Sequence, residues 1–249
     1  MGAGDYCDAW IVKRTGTGII SWQKRFQASG TGHSYFFDVI ETSDHHYIAT
    51  GIYGTSSDDR NVLIMKFDEN GAVIWQKGFG GTNMDVGYSV YQTTDNGYIL
   101  AGYTYSFGQG GHDGFIIKIN SIGNLEWHKV IGSTGTDSIL SIQQTSDQGF
   151  IMAGDYEPNL AGVTDVWVIK MDAAGDIEWQ YCYGGDGNEW AVSIWQTPDG
   201  GYILCGNTNS ERNGDYDVIV IKLSSAGVIE WQKTYGGIGE DRAEDIQIT

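Results

Sequence analysis

DIEWQYCYGG, Asp176 to Gly185, decides the fold, because the chain writes it five times. The other copies are GIISWQKRFQA (18–28), GAVIWQKGFGG (71–81), GNLEWHKVIGS (123–133) and GVIEWQKTYGG (227–237). Their tryptophans, Trp22, Trp75, Trp127, Trp179 and Trp231, stand 53, 52, 52 and 52 residues apart. Lys13, Lys66, Lys118, Lys170 and Lys222 keep the same intervals. A fixed period of this length is the mark of a repeat architecture. A single catalytic centre would need no copies.

Each period holds four short segments rich in Ile, Val, Tyr and Trp, bounded by Gly, Asp, Asn or Ser, which read as strands. The first contains SVYQT (89–93) and its relatives, the second YILAG (98–102), the third DVWVIK (165–170), and the fourth is built on the opening phrase. TDNGY (94–98), SDQGF (146–150) and PDGGY (198–202) join first to second strands, and DAAGDI (172–177) and SSAGVI (224–229) join third to fourth. These are hairpin turns with Gly where positive φ is wanted. No 3.6-residue apolar period is sustained, so no helix is expected. Four antiparallel strands per period of this length predict an all-β protein, a five-bladed β-propeller forming a single domain over residues 1–249. The terminal AEDIQIT (243–249) aligns with the first strand of a blade and MGAGDY (1–6) with a second strand. Their pairing would close the last blade and remove a free sheet edge. The rival reading is a piece of a larger propeller.

The 32 acidic and 14 basic residues give a net charge of −18, which repels phosphate backbones and anionic membranes. No nucleic-acid partner and no membrane insertion are expected, since no apolar run approaches the ~20 residues of a membrane helix. No basic and apolar leader is visible at the N-terminus. Cys7, Cys182 and Cys205 match no zinc or redox spacing, and Cys205 stands where other copies carry Ala, as a small core filler.

Residues 165–208, DVWVIKMDAAGDIEWQYCYGGDGNEWAVSIWQTPDGGYILCGNT, carry the repeat best, and copy 1 departs most, lacking Gly-Gly and the Asp after it. This phrase resembles the propeller repeats of secreted and surface proteins of Bacteroidetes-like bacteria and methanogenic archaea. The resemblance implies an extracellular or cell-surface propeller and carries no catalytic residues. DENGAVIWQK (68–77) also resembles the docking phrase of quinoprotein propellers, which speaks to blade packing and not to a bound quinone.

An acid recurs before the first strand, at Asp85, Asp137, Glu189 and Asp241, with Ser34 the exception. Another recurs before the third, at Asp8, Asp113, Asp165 and Asp217, with Asn61 the exception. First and third strands run the same way, so both sets share one face of the disc. The first set is the candidate ligand-binding set. Asp113, Asp165 and Asp217 are the candidate metal ligands, with calcium the cofactor that such oxygen-rich pairs would take. The competing reading is that each acid accepts loop N–H groups and fixes a turn. The five Trp read as inter-blade core rather than sugar platforms. His45 and His46, which replace a turn, read as a surface pair. The second-to-third-strand loops, IYGTSSDDR (52–60), YTYSFGQGGH (103–112), DYEPNLAGVT (155–164) and NTNSERNGDY (207–216), differ most, and variable loops on a rigid scaffold are where recognition sits. The expected function is binding or scaffolding by a monomer, with glycan or another protein as partner. The competing class is a glycan-active enzyme using channel carboxylates.

Overall fold

The structure, a computed structural model, describes residues 8–26, 32–54, 59–158, 162–210 and 215–248. Among them are eighteen strands and no helix. Strands β3 (His33–Glu41), β4 (Tyr47–Gly54), β5 (Arg60–Phe67) and β6 (Val73–Phe79) form an antiparallel sheet in chain order. The pattern repeats in β7 (Asp85–Gln92), β8 (Tyr98–Thr104), β9 (Asp113–Ile119) and β10 (Leu125–Ile131). It repeats again in β11 (Asp137–Gln144), β12 (Phe150–Tyr156), β13 (Asp165–Met171) and β14 (Ile177–Tyr183). The last full copy is β15 (Glu189–Gln196), β16 (Tyr202–Thr208), β17 (Asp217–Leu223) and β18 (Ile229–Tyr235). β1 (Ala9–Arg14) and β2 (Ile20–Phe26) make a two-stranded sheet and match the third and fourth strands of the others.

Apolar side chains alternate along the middle strands, so both faces of each sheet seek cover. Successive sheets supply it. Ile151, Val166 and Val168 of the third copy meet Ala191, Ile194 and Leu204 of the fourth. Ile99 and Ile116 meet Ile139 and Met152 one step earlier, and Ile48 and Ile64 meet Val90 and Leu100 before that. Ile11 and Phe26 of the two-stranded sheet lie on Leu63 and Phe67. Sheets stacked this way around a channel lined by their first strands are a β-propeller. Each buried Ile or Leu contributes about 1.5–3 kcal/mol, and every apolar cluster draws on two successive sheets.

The C-terminal segment stands where a fifth first strand belongs. The Asp241 N–H donates to the Tyr216 carbonyl at 2.7 Å, as Asp137 N–H does to His112 and Glu189 N–H to Thr164, both at 2.8 Å. Glu244, Asp245 and Gln247 line the channel beside the four other first strands. The segment makes no regular strand ladder. Its expected partner, MGAGDY, lies outside the described residues.

The tryptophans need correction. Trp22, Trp75, Trp127 and Trp179 are half-buried and Trp231 is 41% exposed, because the fourth strand is the outer rim of each blade. The first four still bridge two blades. Trp22, Trp75, Trp127 and Trp179 meet Tyr47, Tyr98, Phe150 and Tyr202 of the next blade edge-on, with centroids 5.9, 6.0, 6.1 and 5.9 Å apart. The turn glycines Gly71, Gly123 and Gly175 sit on the rings of Trp22, Trp75 and Trp127, at φ of +76, +80 and +80°.

Four of the five periodic lysines brace their blades from within, while Lys13 lies over the Tyr47 ring of the next blade. Lys118 Nζ is buried and pairs with Asp95 of the first hairpin at 2.8 Å and Glu126 of the fourth strand at 2.9 Å. Lys170 does the same with Asp147 and Glu178, and Lys222 with Asp199 and Glu230. Lys66 keeps only Asp44, since Ile74 replaces the second acid. In these hairpins the left-handed residue is His45, Asn96, Gln148 or Gly200, at φ of 61, 64, 70 and 83°, and the next residue is Gly except after His45, where it is His46. Gly97 is crowded by backbone, since a Cβ there would lie 2.5 Å from the Ile119 carbonyl oxygen.

Candidate functional site at the channel mouth

Asp85, Asp137 and Glu189 begin their first strands and are sealed from solvent. Asp85 accepts the Gly81 N–H at 2.7 Å and the Ser106 hydroxyl at 2.8 Å, and the Thr104 hydroxyl as well. Asp137 accepts the Glu157 N–H at 2.9 Å and the Ser133 N–H. Glu189 accepts the Gly185 N–H at 2.9 Å and the Thr208 hydroxyl at 2.7 Å. Asp241 repeats the loop bond, accepting the Gly237 N–H at 2.8 Å, but is exposed. These contacts tie the fourth-to-first-strand loop to the second-to-third-strand loop, the arrangement of a turn brace. The three buried carboxylates accept their hydrogen bonds from the protein's own loops, the geometry of the competing turn-forming reading.

The acid pairs also form differently from the expected grouping within a blade. There, Thr104 separates Asp85 from Asp113 by strand register. The close partners belong to neighbouring blades. A Cβ on Gly132 would lie 2.2 Å from Asp113 Oδ1 and 2.6 Å from Asp137 Oδ2, so this glycine is wedged between the two carboxylates. Gly184 sits likewise between Asp165 and Glu189. Burial and the facing charge of Asp137 push the Asp113 carboxyl up, and burial with Glu189 does the same to Asp165. Asp217 is buried against Gly236. No group of three or more His, Cys, Asp or Glu gathers at metal-ligand spacing among the described residues. The His45 ring bonds to Glu41, and the His46 backbone N–H donates to Asp44 at 3.4 Å, on the turn.

The residues that break the repeat lie elsewhere. Each first strand bulges once, between Phe36 and Asp38, Gly87 and Ser89, Ile139 and Ser141, and Ala191 and Ser193. The bulge turns Asp38, Ser89, Ser141, Ser193 and, by alignment, Asp245 into the channel. They form a ring of links between neighbouring strands. Asp38 accepts the Val90 N–H at 2.9 Å, Ser89 that of Ile142 at 3.3 Å, Ser141 that of Ile194 at 3.2 Å, and Ser193 donates to Asp245 at 2.7 Å. Burial and the charge of Asp245 raise the Asp38 carboxyl. The channel holds about 710 Å³, with Phe37, Tyr88, Tyr91 and Trp195 among its walls and no Lys, Arg or His among its lining residues.

At the acid-bearing end, aromatic side chains continue outward. Phe37 and Tyr88 stand 4.9 Å apart by centroid, Tyr88 and Tyr103 5.7 Å, Tyr103 and His112 4.4 Å, and Tyr103 and Tyr105 5.8 Å. Across the mouth Trp190 and Tyr216 lie 4.8 Å apart, with the Arg242 guanidinium against both. Between them is Asp155, at the place held by Ile52, Tyr103 and Asn207 in the other described blades. Burial first, then the charges of Asp137 and Glu157, push its carboxyl up to about 7 against a bond from Ser138. His112 Nε2 lies 3.0 Å from the Ser138 hydroxyl, its Nδ1 is buried without a partner, and burial keeps the ring neutral. A search for recurring acids passes over Asp38, Asp155 and Asp245. The signal that finds them is the opposite one, a polar residue where aligned copies differ. Parts of three variable loops, residues 55–58, 159–161 and 211–214, lie outside the described residues.

No protein family matches the chain by sequence, and no curated protein matches it. Among solved structures it is similar to a thermostable family-43 glycoside hydrolase, at 13% identity over 82% of this chain and 73% of that one, with a TM-score of 0.49. The WD40 domain of SCAP from fission yeast follows at 8% identity and a TM-score of 0.39, over 84% of this chain and half of that one. BamB from Moraxella catarrhalis matches at 12% identity over 97% and 86% of the two chains, with a TM-score of 0.35.

Proposed function

We propose that this propeller is a carbohydrate-binding module whose site is the channel mouth and not the four repeated acids Asp85, Asp137, Glu189 and Asp241. The observation that carries the reading is the belt of Phe37, Tyr88, Tyr103, Tyr105, Trp190 and Tyr216 around an open, polar-lined channel. Sugar rings offer apolar C–H faces to aromatic side chains and hydroxyls to groups such as Ser89, Ser141, Gln92 and Gln143. The belt is broken by Asp155, Asn207 and Arg242, so the mouth offers one asymmetric site instead of five equal ones. The resemblance of the repeat to secreted and surface propellers supports an extracellular or cell-surface setting.

The rival is hydrolysis by a carboxylate pair, and Asp38 with Asp245 breaks the channel's symmetry as catalysis would require. Both carboxylates, however, hold the strand-to-strand ring together, which favours binding. The test is a glycan array read alongside chromogenic glycosides. Retention of one glycan class by the wild type, lost in Tyr103→Ala, is expected. Turnover of any glycoside, lost in Asp38→Asn, would replace binding with catalysis, and retention of nothing would remove the carbohydrate reading.

A further inference from the structure

The lining of the channel asks for more than a neutral sugar. Four carboxylates, Asp38, Glu41, Glu244 and Asp245, contribute to it, with no basic side chain among the lining residues. Glu41 has His45 at 3.2 Å, and Arg242, on the same segment as Glu244, is paired with Glu240. Asp38 and Asp245 have no such counter-charge. Their contacts are neutral donors: the Val90 and Val39 N–H groups and the Ser89 hydroxyl for the first, and for the second the Ser193 hydroxyl at 2.7 Å, its neighbour's N–H and the Gln247 amide. The two are close enough for the charge on one to disfavour ionisation of the other. Beside them Phe37 and Tyr88 present aromatic faces to the same space. A cation held by carboxylates and aromatic faces gains from both, and most where water is displaced. Among the described residues the acids are not gathered at metal-ligand spacing, and the volume admits an organic cation.

We propose that the channel takes a carbohydrate bearing a free amino group, a glucosamine-type sugar, with the ammonium against Asp38 and Asp245 and the ring faces on Phe37 and Tyr88. This rests on the carbohydrate reading and sharpens it. Each kind of lining residue then has a use: carboxylates for the ammonium, aromatic faces for the ring, and Ser and Gln for the hydroxyls. A neutral sugar would leave the paired carboxylates unanswered. A plain polyamine would leave the hydroxyl-bonding groups idle.

The test is calorimetry of the full chain with three probes: a glucosamine tetramer, the N-acetylglucosamine tetramer of the same length, and spermidine. The glucosamine tetramer should bind at least about tenfold more tightly than either of the others, the size expected for one charge-assisted contact. In Asp38→Asn/Asp245→Asn, which keeps an acceptor for Val90 and for Ser193, the preference over the acetylated tetramer should vanish at an unchanged melting temperature. If that variant melts early, the wild type serves: raising NaCl from about 0.05 to about 0.5 M should shrink the preference by screening. Equal binding of the two tetramers would overturn the proposal while leaving the carbohydrate reading in place. Spermidine binding as tightly as the glucosamine tetramer would overturn it in favour of a simple amine. Binding of no tetramer would remove both readings together.

Discussion

Asp155→Asn should make the protein more stable at alkaline pH and leave it unchanged in acid. The folded carboxyl titrates at about 7 against 3.8 for the ordinary group, chiefly because it is buried, and then because Asp137 and Glu157 face it. Between those two values the native state holds a proton that the unfolded chain has released. Stability therefore falls as pH rises from about 4 to about 7. Three pH units at about 1.4 kcal/mol each set a ceiling of about 4 kcal/mol. Asp155 is only partly covered, and water in contact with it brings the expected figure nearer about 2 kcal/mol. Asparagine cannot ionise, and Asn207 already occupies the equivalent place one blade on, where its side-chain oxygen accepts the Ala243 N–H at 2.9 Å. Urea melts of both proteins at about pH 3, 6 and 8 decide the matter. The curves should coincide at the lowest pH and separate progressively above it, the variant being the more stable. A constant offset at all three pH values, or no gain at the highest, would refute the reasoning. Such a gain would also mark Asp155 as a residue that costs stability where it stands, as site residues often do.

Three further outcomes follow from the packing. Trp127→Ala should cost about 2–3 kcal/mol in denaturant melts, below the value for a sealed tryptophan, and Trp231→Ala less than about 1 kcal/mol, because their exposures differ. Lys118→Met should cost about 1 kcal/mol near neutral pH by leaving the part-exposed Asp95 and Glu126 without their cation, and the loss should shrink as the pH of the melt falls toward 3. The sign follows from Asp95: burial works against its charge, yet Lys118 and the Thr93 hydroxyl hold it down at about 2, so the wild type loses this contribution as pH drops from 3.8 to 2. Gly123→Ala should cost about 2 kcal/mol by combining a left-handed φ with a methyl pressed on Trp75, and part of that loss should be recovered in a Trp75→Ala background, read by a double-mutant cycle.

The strands, their order and the number of full sheets were legible because period and alternation are local properties of a chain. Lys118 shows the limit of that reading. Its interval was visible, but a repeated lysine in a strand looks the same whether it reaches water or turns inward to two acids, and only the packed hairpins decide. The acids Asp85, Asp137 and Glu189 were found for their recurrence, and in the structure each one braces the loops at the start of its first strand. Asp155 and Asp38 were hidden for the complementary reason, since a residue that departs from its copies is invisible to a search for likeness. The ring at the bulges was out of reach as well, because the extra residue that turns Ser89 inward shows only when β7 and β8 are laid side by side.

The lysine brace begins and ends inside one blade, whereas the apolar contacts pass between blades. A repeat can therefore be thought of as an interchangeable part, with its shape specified by itself and its cohesion supplied by whichever neighbour it meets. Duplicating or deleting one would leave every Lys–Asp–Glu set intact and would change chiefly the bore of the central opening. In such a molecule the aperture, and with it the size of guest admitted, becomes a matter of how many copies the gene carries.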